Sequence, residues 1–280
     1  MDKKLKILIT GASSYLGARL YFDLLKDFDV VGTYNTSKLI DNFLRLDITK
    51  NDEINAIFEK VKPSVIVHVA ANASSKWCEE NPDLAVKLNE TATKYIVDLA
   101  NKIKAKVIYI SSFAAFEPNN LYAKTKYNSE KIVKNTKTGW IILRPSLILG
   151  FSPNIINDRP FNRLLKNLDG VPAEYDISWK FQPTYIGHIS EVIKEVITRN
   201  INNETIPVAV SDLKSRFDTA KDILTPFGIE VKPFDAKDNA HFSEKKEINK
   251  LKELNLPIYT YQKMIEKIIE EIKNREQFKL

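Results

Sequence analysis

Along the first 150 residues, short β-branched runs alternate with longer stretches in which apolar residues recur at helical spacing. The runs KILIT (6–10), DVVGTY (29–34), SVIVHVAA (64–71), KVIYIS (106–111) and WIILR (140–144) predict strands, with a short strand-like FLRL (43–46) after the second. Between them the pattern predicts helices over 15–27, 50–61, 81–103 and 122–136. Strands that are apolar throughout, joined by helices, build a parallel sheet covered on both faces with right-handed crossovers. The fold class is therefore α/β, a doubly wound parallel sheet. After Gly150 the rhythm breaks into FSPNIINDRPFN (151–162), followed by shorter mixed elements and a last amphipathic helix near 259–276. The expected division is a sheet domain of 1–150 plus about 183–210, and a smaller C-terminal substrate-binding lobe of about 151–182 plus 211–280.

Composition narrows the picture. With 44% hydrophobic and 28% charged residues, the 280-residue chain can bury a sizeable core, which excludes wholesale disorder. No apolar run approaches the roughly 18–20 residues of a membrane span, and MDKKLKILIT passes from charges straight into a strand, so a soluble cytoplasmic protein without membrane partners is expected. The single cysteine, Cys78, excludes an internal disulfide framework, and a metal centre built on His68, His188 and His241 would need carboxylates as its main ligands; no metal is expected. The net charge of +6 comes from 34 lysines against 8 arginines spread along helical stretches, a solvated surface rather than a basic block. Nucleic acid is not an expected partner, while small anions such as nucleotides suit the charge.

The first strand ends in Thr10-Gly11-Ala12-Ser13-Ser14-Tyr15-Leu16-Gly17, directly before a predicted helix. Gly11 permits a tight turn, Gly17 permits close helix–strand packing, and the helix N-terminus offers amides and a positive dipole end to a pyrophosphate. This is a Rossmann-type dinucleotide context, with Ser14 where a glycine is usual; a plain strand-to-helix turn capped by serine is the other reading. A NAD site places an acid at the end of the second strand. Here that place reads Asn35-Thr36-Ser37-Lys38, which lacks a carboxylate and could bind a 2′-phosphate, so NADP(H) is favoured over NAD(H), Lys38 being otherwise a solvated loop residue. Asp47 and Ile48 stand where they could reach the adenine, or Asp47 could cap the helix near Thr49; Ala70 and Ala71 follow the third strand.

Tyr122 and Lys126 lie at i and i+4, on one face of a predicted helix. That spacing occurs four times, from Tyr34, Tyr122, Tyr127 and Tyr259, so position decides. Only the Tyr122 pair follows a strand ending in Ser111-Ser112, at the carboxyl edge of the sheet where α/β ligands bind.

Taken in order, these residues resemble the extended short-chain dehydrogenase/reductases, and within them the dTDP-4-dehydrorhamnose reductase group. The similar stretches are TGASSYLG, VIVHVAAN, Pro82 through LAVKLNETA, ISSFAAFE, NLYAKTKYNSE, LRPSLILG, QPTYIGHISEVI and SRFDTAKDIL. The resemblance implies a catalytic hydroxyl on Ser112, an acid/base on Tyr122, and a partner on Lys126 that also holds the cofactor ribose. It implies a dinucleotide held by Gly11, Ser13, Ser14, Tyr15, Leu16, Gly17, Asn35, Thr36, Ser37, Lys38, Asp47, Ile48, Ala70 and Ala71 beside Tyr122 and Lys126. The chemistry fits those residue types, because an adjacent ammonium lowers the pKa of a phenol that is otherwise too weak an acid. The implied activity is hydride transfer from NADP(H) to the ketone of a nucleotide-linked 4-keto sugar, in an enzyme that by analogy is a homodimer.

The chain departs from that group at four places. Phe113 stands where an acid usually follows the catalytic hydroxyl, which disfavours dehydration. Leu147 replaces a tryptophan near the sugar, only ten positions separate Ser112 from Tyr122, and His188 stands for an aspartate, in a capping or packing role. Trp77 and Cys78, on the loop after VAAN, could line the pocket or pack. Two further readings stay open: a nucleotide-sugar epimerase that keeps its cofactor, and a non-catalytic regulatory subunit such as the β subunit of methionine adenosyltransferase.

Overall fold

A computed structural model describes residues 4–237 and 245–278. His241 lies outside the described residues. The chain divides into two compact units, Met1–Arg144 with Ser190–Ile206, and Pro145–Ile189 with Pro207–Leu280.

The first unit is built on β1 (Lys6–Thr10), β2 (Asp29–Tyr34), β3 (Leu44–Arg45), β4 (Val65–His68), β5 (Lys106–Ile110) and β6 (Trp140–Pro145). With the strand Glu204–Val208 they form one seven-stranded sheet in the order Glu204–Val208, β6, β5, β4, β1, β2, β3. The neighbouring pairs from β6 to β3 are parallel. Strand order reverses about β1, and such a switch point opens a crevice beyond the carboxyl ends of the strands. One face is covered by α2 (Asn51–Val61) and α5 (Ala92–Ile103), whose Ile54, Phe58 and Ile96 share a buried cluster with Leu8, Ile66 and Ile142. α1 (Tyr15–Leu25) follows β1 as predicted.

The predicted helix over 81–103 is not continuous. It comprises α4 (Pro82–Val86), a π-helical turn at Lys87–Thr91 and α5, and it is preceded by α3 (Ser75–Glu80) on the segment read as a loop. Ser74 accepts from the Trp77 amide and starts α3, so Trp77 and Cys78 are helical, with Cys78 fully buried. α6 (Leu121–Val133) opens with Asn120, whose Oδ1 accepts from the Ala123 amide at 2.9 Å. The predicted strand over 64–71 ends at His68, which frees Val69 to Ala71 to leave the sheet at its carboxyl edge.

In the second unit, short strands pair two by two: Ile148–Leu149 with Thr184–Tyr185, Lys180–Phe181 with Lys214–Ser215, and Ala173–Asp176 with Val231–Phe234. The last helix, Tyr261–Lys273, is anchored by buried Glu271, which accepts from the Tyr185 hydroxyl at 2.6 Å and the Phe151 amide at 2.9 Å. His188 lies on the helix Ile186–Thr198, fully buried, with Nε2 2.7 Å from the Pro257 carbonyl; its role in the fold is packing. Among the described residues no helix is long and apolar enough to cross a membrane, and no cluster of His, Cys, Asp and Glu could hold a metal ion.

Candidate active site

The turn after β1 is shaped by its two glycines. Gly11 has φ +69°, and a Cβ there would sit 3.0 Å from the Ala70 Cα; a Cβ on Gly17 would fall 2.2 Å from the Gly11 carbonyl oxygen. A side chain has no room at Gly17, and at Gly11 it would be strained by the positive φ and crowd Ala70, so β1, α1 and the segment after β4 approach one another closely. Ser14 caps α1 by accepting from the Gly17 amide at 3.0 Å, which leaves its hydroxyl proton for a second partner. The opening turn of a helix holds N–H groups without intrahelical acceptors, and together with the cleared backbone this is a cradle that fits a diphosphate.

The other predicted cofactor residues lie along the same edge of the sheet. Asn35, Thr36, Ser37 and Lys38 form the loop after β2, and the Leu39 amide donates to Ser13 Oγ at 3.3 Å, which ties that loop to the glycine turn. Lys38 is exposed and lies 3.5 Å from Asp41. Asp47 takes bonds from the Thr49 amide and hydroxyl at 2.9 and 2.7 Å and so steadies the turn into α2, while the Ile48 side chain is buried in the core.

Beneath the crevice, polar groups are locked in sequence. The Thr93 hydroxyl donates to the Asn89 carbonyl at 2.6 Å, so it must accept from His68 Nε2 at 3.0 Å; His68 Nδ1 then accepts from the Thr10 hydroxyl at 2.7 Å. Burial holds His68 neutral, its pKa lowered to about 3. Thr10 Oγ1 in turn accepts from the Val69 and Ala70 amides, which fixes the segment after β4 against the glycine turn.

Ser112 follows β5 and caps a short 3-10 turn, its Oγ accepting from the Ala114 amide at 3.2 Å. Tyr122 is half-buried in the first turn of α6, and Lys126 is one turn further on, buried, with Nζ donating to the Ile110 carbonyl at 2.8 Å and lying 4.7 Å from the centre of the Tyr109 ring. Desolvation lowers the Lys126 pKa to about 8, against the opposing effect of the Glu130 and Cys78 charges. The strand end therefore holds Ser112 two residues beyond the carbonyl that anchors Lys126.

Sequence reasoning missed two groups here. Asn89, carried by the π turn, accepts from the Asn72 amide and donates to the Asn72 carbonyl and to Thr125 Oγ1, while its own carbonyl accepts from Ser129; it stitches α6 to the loop after β4. Glu130, on α6, holds Ser111 and Arg144. Polar types at helical core positions, Thr125, Ser129 and Glu130, were the available signal.

The second unit has its own cavity of about 470 Å³, lined by Leu147, Phe181, Tyr175 and Phe234 and by the cations Arg163, Lys166 and Arg216. Arg216 lies 4.4 Å from the Trp179 ring centre, and Arg163 pairs with Asp158 at 3.0 Å. Asp176, at the cavity wall, is held well below the usual carboxylate range by bonds from the Ala236, Ser178 and Trp179 amides and the Ser178 hydroxyl, which outweigh the cost of burial.

A doubly wound parallel sheet with a glycine turn after β1 and a Ser/Tyr/Lys set after β5 has the architecture of the extended short-chain dehydrogenase/reductases. The model of the RmlD substrate binding domain family matches residues 5–273, and the chain belongs to that family. It is 27% identical over 222 residues to the methionine adenosyltransferase 2 subunit beta of Xenopus laevis, a match covering 72% of this chain and 64% of that protein. To the dTDP-4-dehydrorhamnose reductase of Aggregatibacter actinomycetemcomitans it is 28% identical, over 73% of this chain and 71% of the relative. Among solved structures it is similar to the dTDP-4-dehydrorhamnose reductase of Bacillus anthracis in complex with NADP, with a TM-score of 0.80 at 20% identity, covering 96% of this chain and 99% of that one.

Proposed function

We propose that the protein is an NADP(H)-dependent reductase of a nucleotide-linked 4-keto sugar. The observation that carries this reading is the buried Lys126 ammonium, bonded to the end of β5 and one helical turn from Tyr122. An ammonium so placed favours the phenolate, which makes Tyr122 a competent acid near neutral pH. Tyr122 gives its proton to the carbonyl oxygen, and Ser112, whose oxygen already accepts from Ala114, donates its hydroxyl to the same oxygen. Gly11 to Gly17 and the loop at Thr36 to Lys38 would hold the dinucleotide, and Lys126 its ribose. When bound, NADPH supplies the hydride. The cavity of the second unit suits an anionic substrate: the three cations Arg163, Lys166 and Arg216 outnumber the two carboxylates, Glu174 and Asp176, that line it, and Asp176 is already engaged by the Ala236, Ser178 and Trp179 amides. The reading implies a soluble cytoplasmic enzyme, and by analogy a homodimer.

The test is NADPH consumption by the purified protein over a panel of nucleotide 4-keto hexoses. Cofactor that binds but is never consumed would overturn the reading. A non-catalytic subunit is the second reading, favoured by the similarity to the methionine adenosyltransferase subunit. A Tyr122→Phe variant separates the two: it abolishes turnover in an enzyme and leaves the partner affinity of a subunit unchanged.

A further inference from the structure

Glu130 is 2% exposed, and its carboxylate is the meeting point of three elements of the first unit. From the end of β5, the Ser111 hydroxyl donates to Oε1 at 2.5 Å; from β6, Arg144 donates through Nε to Oε1 at 2.8 Å and through Nη2 to Oε2 at 2.6 Å. The Arg144 guanidinium also lies 4.5 Å from the ring centre of Phe116, and Phe116 packs edge-on against Phe113. Ser112 is thus bracketed. The residue before it is tied to Glu130 directly, and the 3-10 turn after it is held through Arg144. Glu130 itself lies on α6, two helical turns beyond Tyr122 and one beyond Lys126, and residues at such spacing share a face.

A buried ion pair is a poor device for stability alone, because apolar residues of similar volume serve as well or better, whereas its directional bonds fix one geometry. We propose that Glu130 is a positioning residue: through Ser111 and Arg144 it fixes the Ser112 turn against the helix that carries Tyr122 and Lys126, and its negative charge supports the Lys126 ammonium. This inference rests on the functional reading given above and deepens it. The charged and titratable groups facing Lys126 are Glu130 on its own helix, Tyr109 on β5, His68 on β4 and Cys78 on α3, and Tyr122 lies one helical turn before it. Glu130 is the one among them whose anion raises the affinity of Lys126 for its proton at neutral pH, and its loss leaves Arg144 unpaired.

The test compares Glu130→Gln with the wild type by two readouts. The first needs no substrate: titration of Lys126 followed by NMR in protein carrying carbon-13 lysine, the signal assigned by its loss in Lys126→Arg. The midpoint should fall by about one pH unit in Glu130→Gln. The second is kinetic: kcat should drop by about 10²-fold while KM stays within a few-fold, and the alkaline limb of kcat should move to lower pH with the Lys126 midpoint. A Ser111→Ala variant keeps both charges, so it should lower kcat about tenfold and leave the Lys126 midpoint in place; it also serves if Glu130→Gln does not fold. An unmoved Lys126 midpoint in folded Glu130→Gln, a loss confined to KM, or wild-type kcat in Ser111→Ala overturns the proposal. A midpoint shifted in Glu130→Gln while the wild type consumes no NADPH supports the electrostatic role of Glu130 and counts instead against the functional reading.

Discussion

Lys126 Nζ donates to the carbonyl oxygen of Ile110 at 2.8 Å, so a buried ammonium on α6 is anchored to the last residue of β5. This bond joins the helix that bears Tyr122 to the strand end that bears Ser112, and it holds the Lys126 ammonium where burial bears on the pH range proposed for the site. Burial brings the Lys126 pKa down to about 8, and carbonyl reduction needs both the ammonium and the phenolic proton. The state with both protons is lost as pH rises, so kcat should be level below that value and fall above it, as a profile of NADPH consumption against pH would read. A rate that climbs through the same range would contradict this assignment.

Gly17→Ala should damage both fold and binding. Its Cβ would lie 2.2 Å from the Gly11 carbonyl oxygen and 2.8 Å from the Ala12 Cα, both backbone atoms that cannot rotate away. The helix must back off the turn, at a cost of about 1–3 kcal/mol typical of overpacking. Urea unfolding should show a lowered midpoint, and titration with NADPH a weakened affinity.

Lys38→Glu tests the cofactor preference. The loop Asn35 to Lys38 has no carboxylate to repel a 2′-phosphate, and Lys38 is exposed beside Asp41. Reversing its charge should weaken NADPH binding by about tenfold or more and leave NADH binding nearly unchanged. Equal loss for both dinucleotides would remove Lys38 from the discrimination.

Acid should unfold the protein through its buried histidines. His68 and His188 ionise near 3 and 4 in the folded chain against an ordinary value of 6.5. Below 6.5 the unfolded chain binds more protons, so stability is full above that value and falls as pH drops toward the folded values. Urea midpoints across the acidic range should follow this slope, and His68→Gln should flatten it.

Much of the fold was legible because its signals are local. The glycine turn needs only Gly11 and Gly17 at the end of an apolar run, and the Tyr122–Lys126 pair needs only helical spacing. The Glu130 clamp joins residues 14 and 19 positions apart, a relation that exists only once β5, β6 and α6 are assembled. The π turn at Lys87–Thr91 was hidden because apolar periodicity continues on both sides of it, and α3 because SKWCEE is too short for a period to register. Leu147, a departure from the family pattern in the sequence, lines the cavity of the second unit.

If Tyr122, Lys126 and Ser112 reduce a sugar ketone with a nicotinamide held on the same sheet edge, hydride passes from the cofactor to the carbonyl carbon. The most direct measurement of this step is label transfer from NADPH deuterated at the transferable position to a nucleotide 4-keto sugar, read by mass spectrometry of the product. Wild-type protein should place deuterium on the former carbonyl carbon, and Tyr122→Phe should bind the cofactor but give no labelled product. Unlabelled 4-keto sugar recovered from wild-type protein saturated with the cofactor would contradict that hydride transfer.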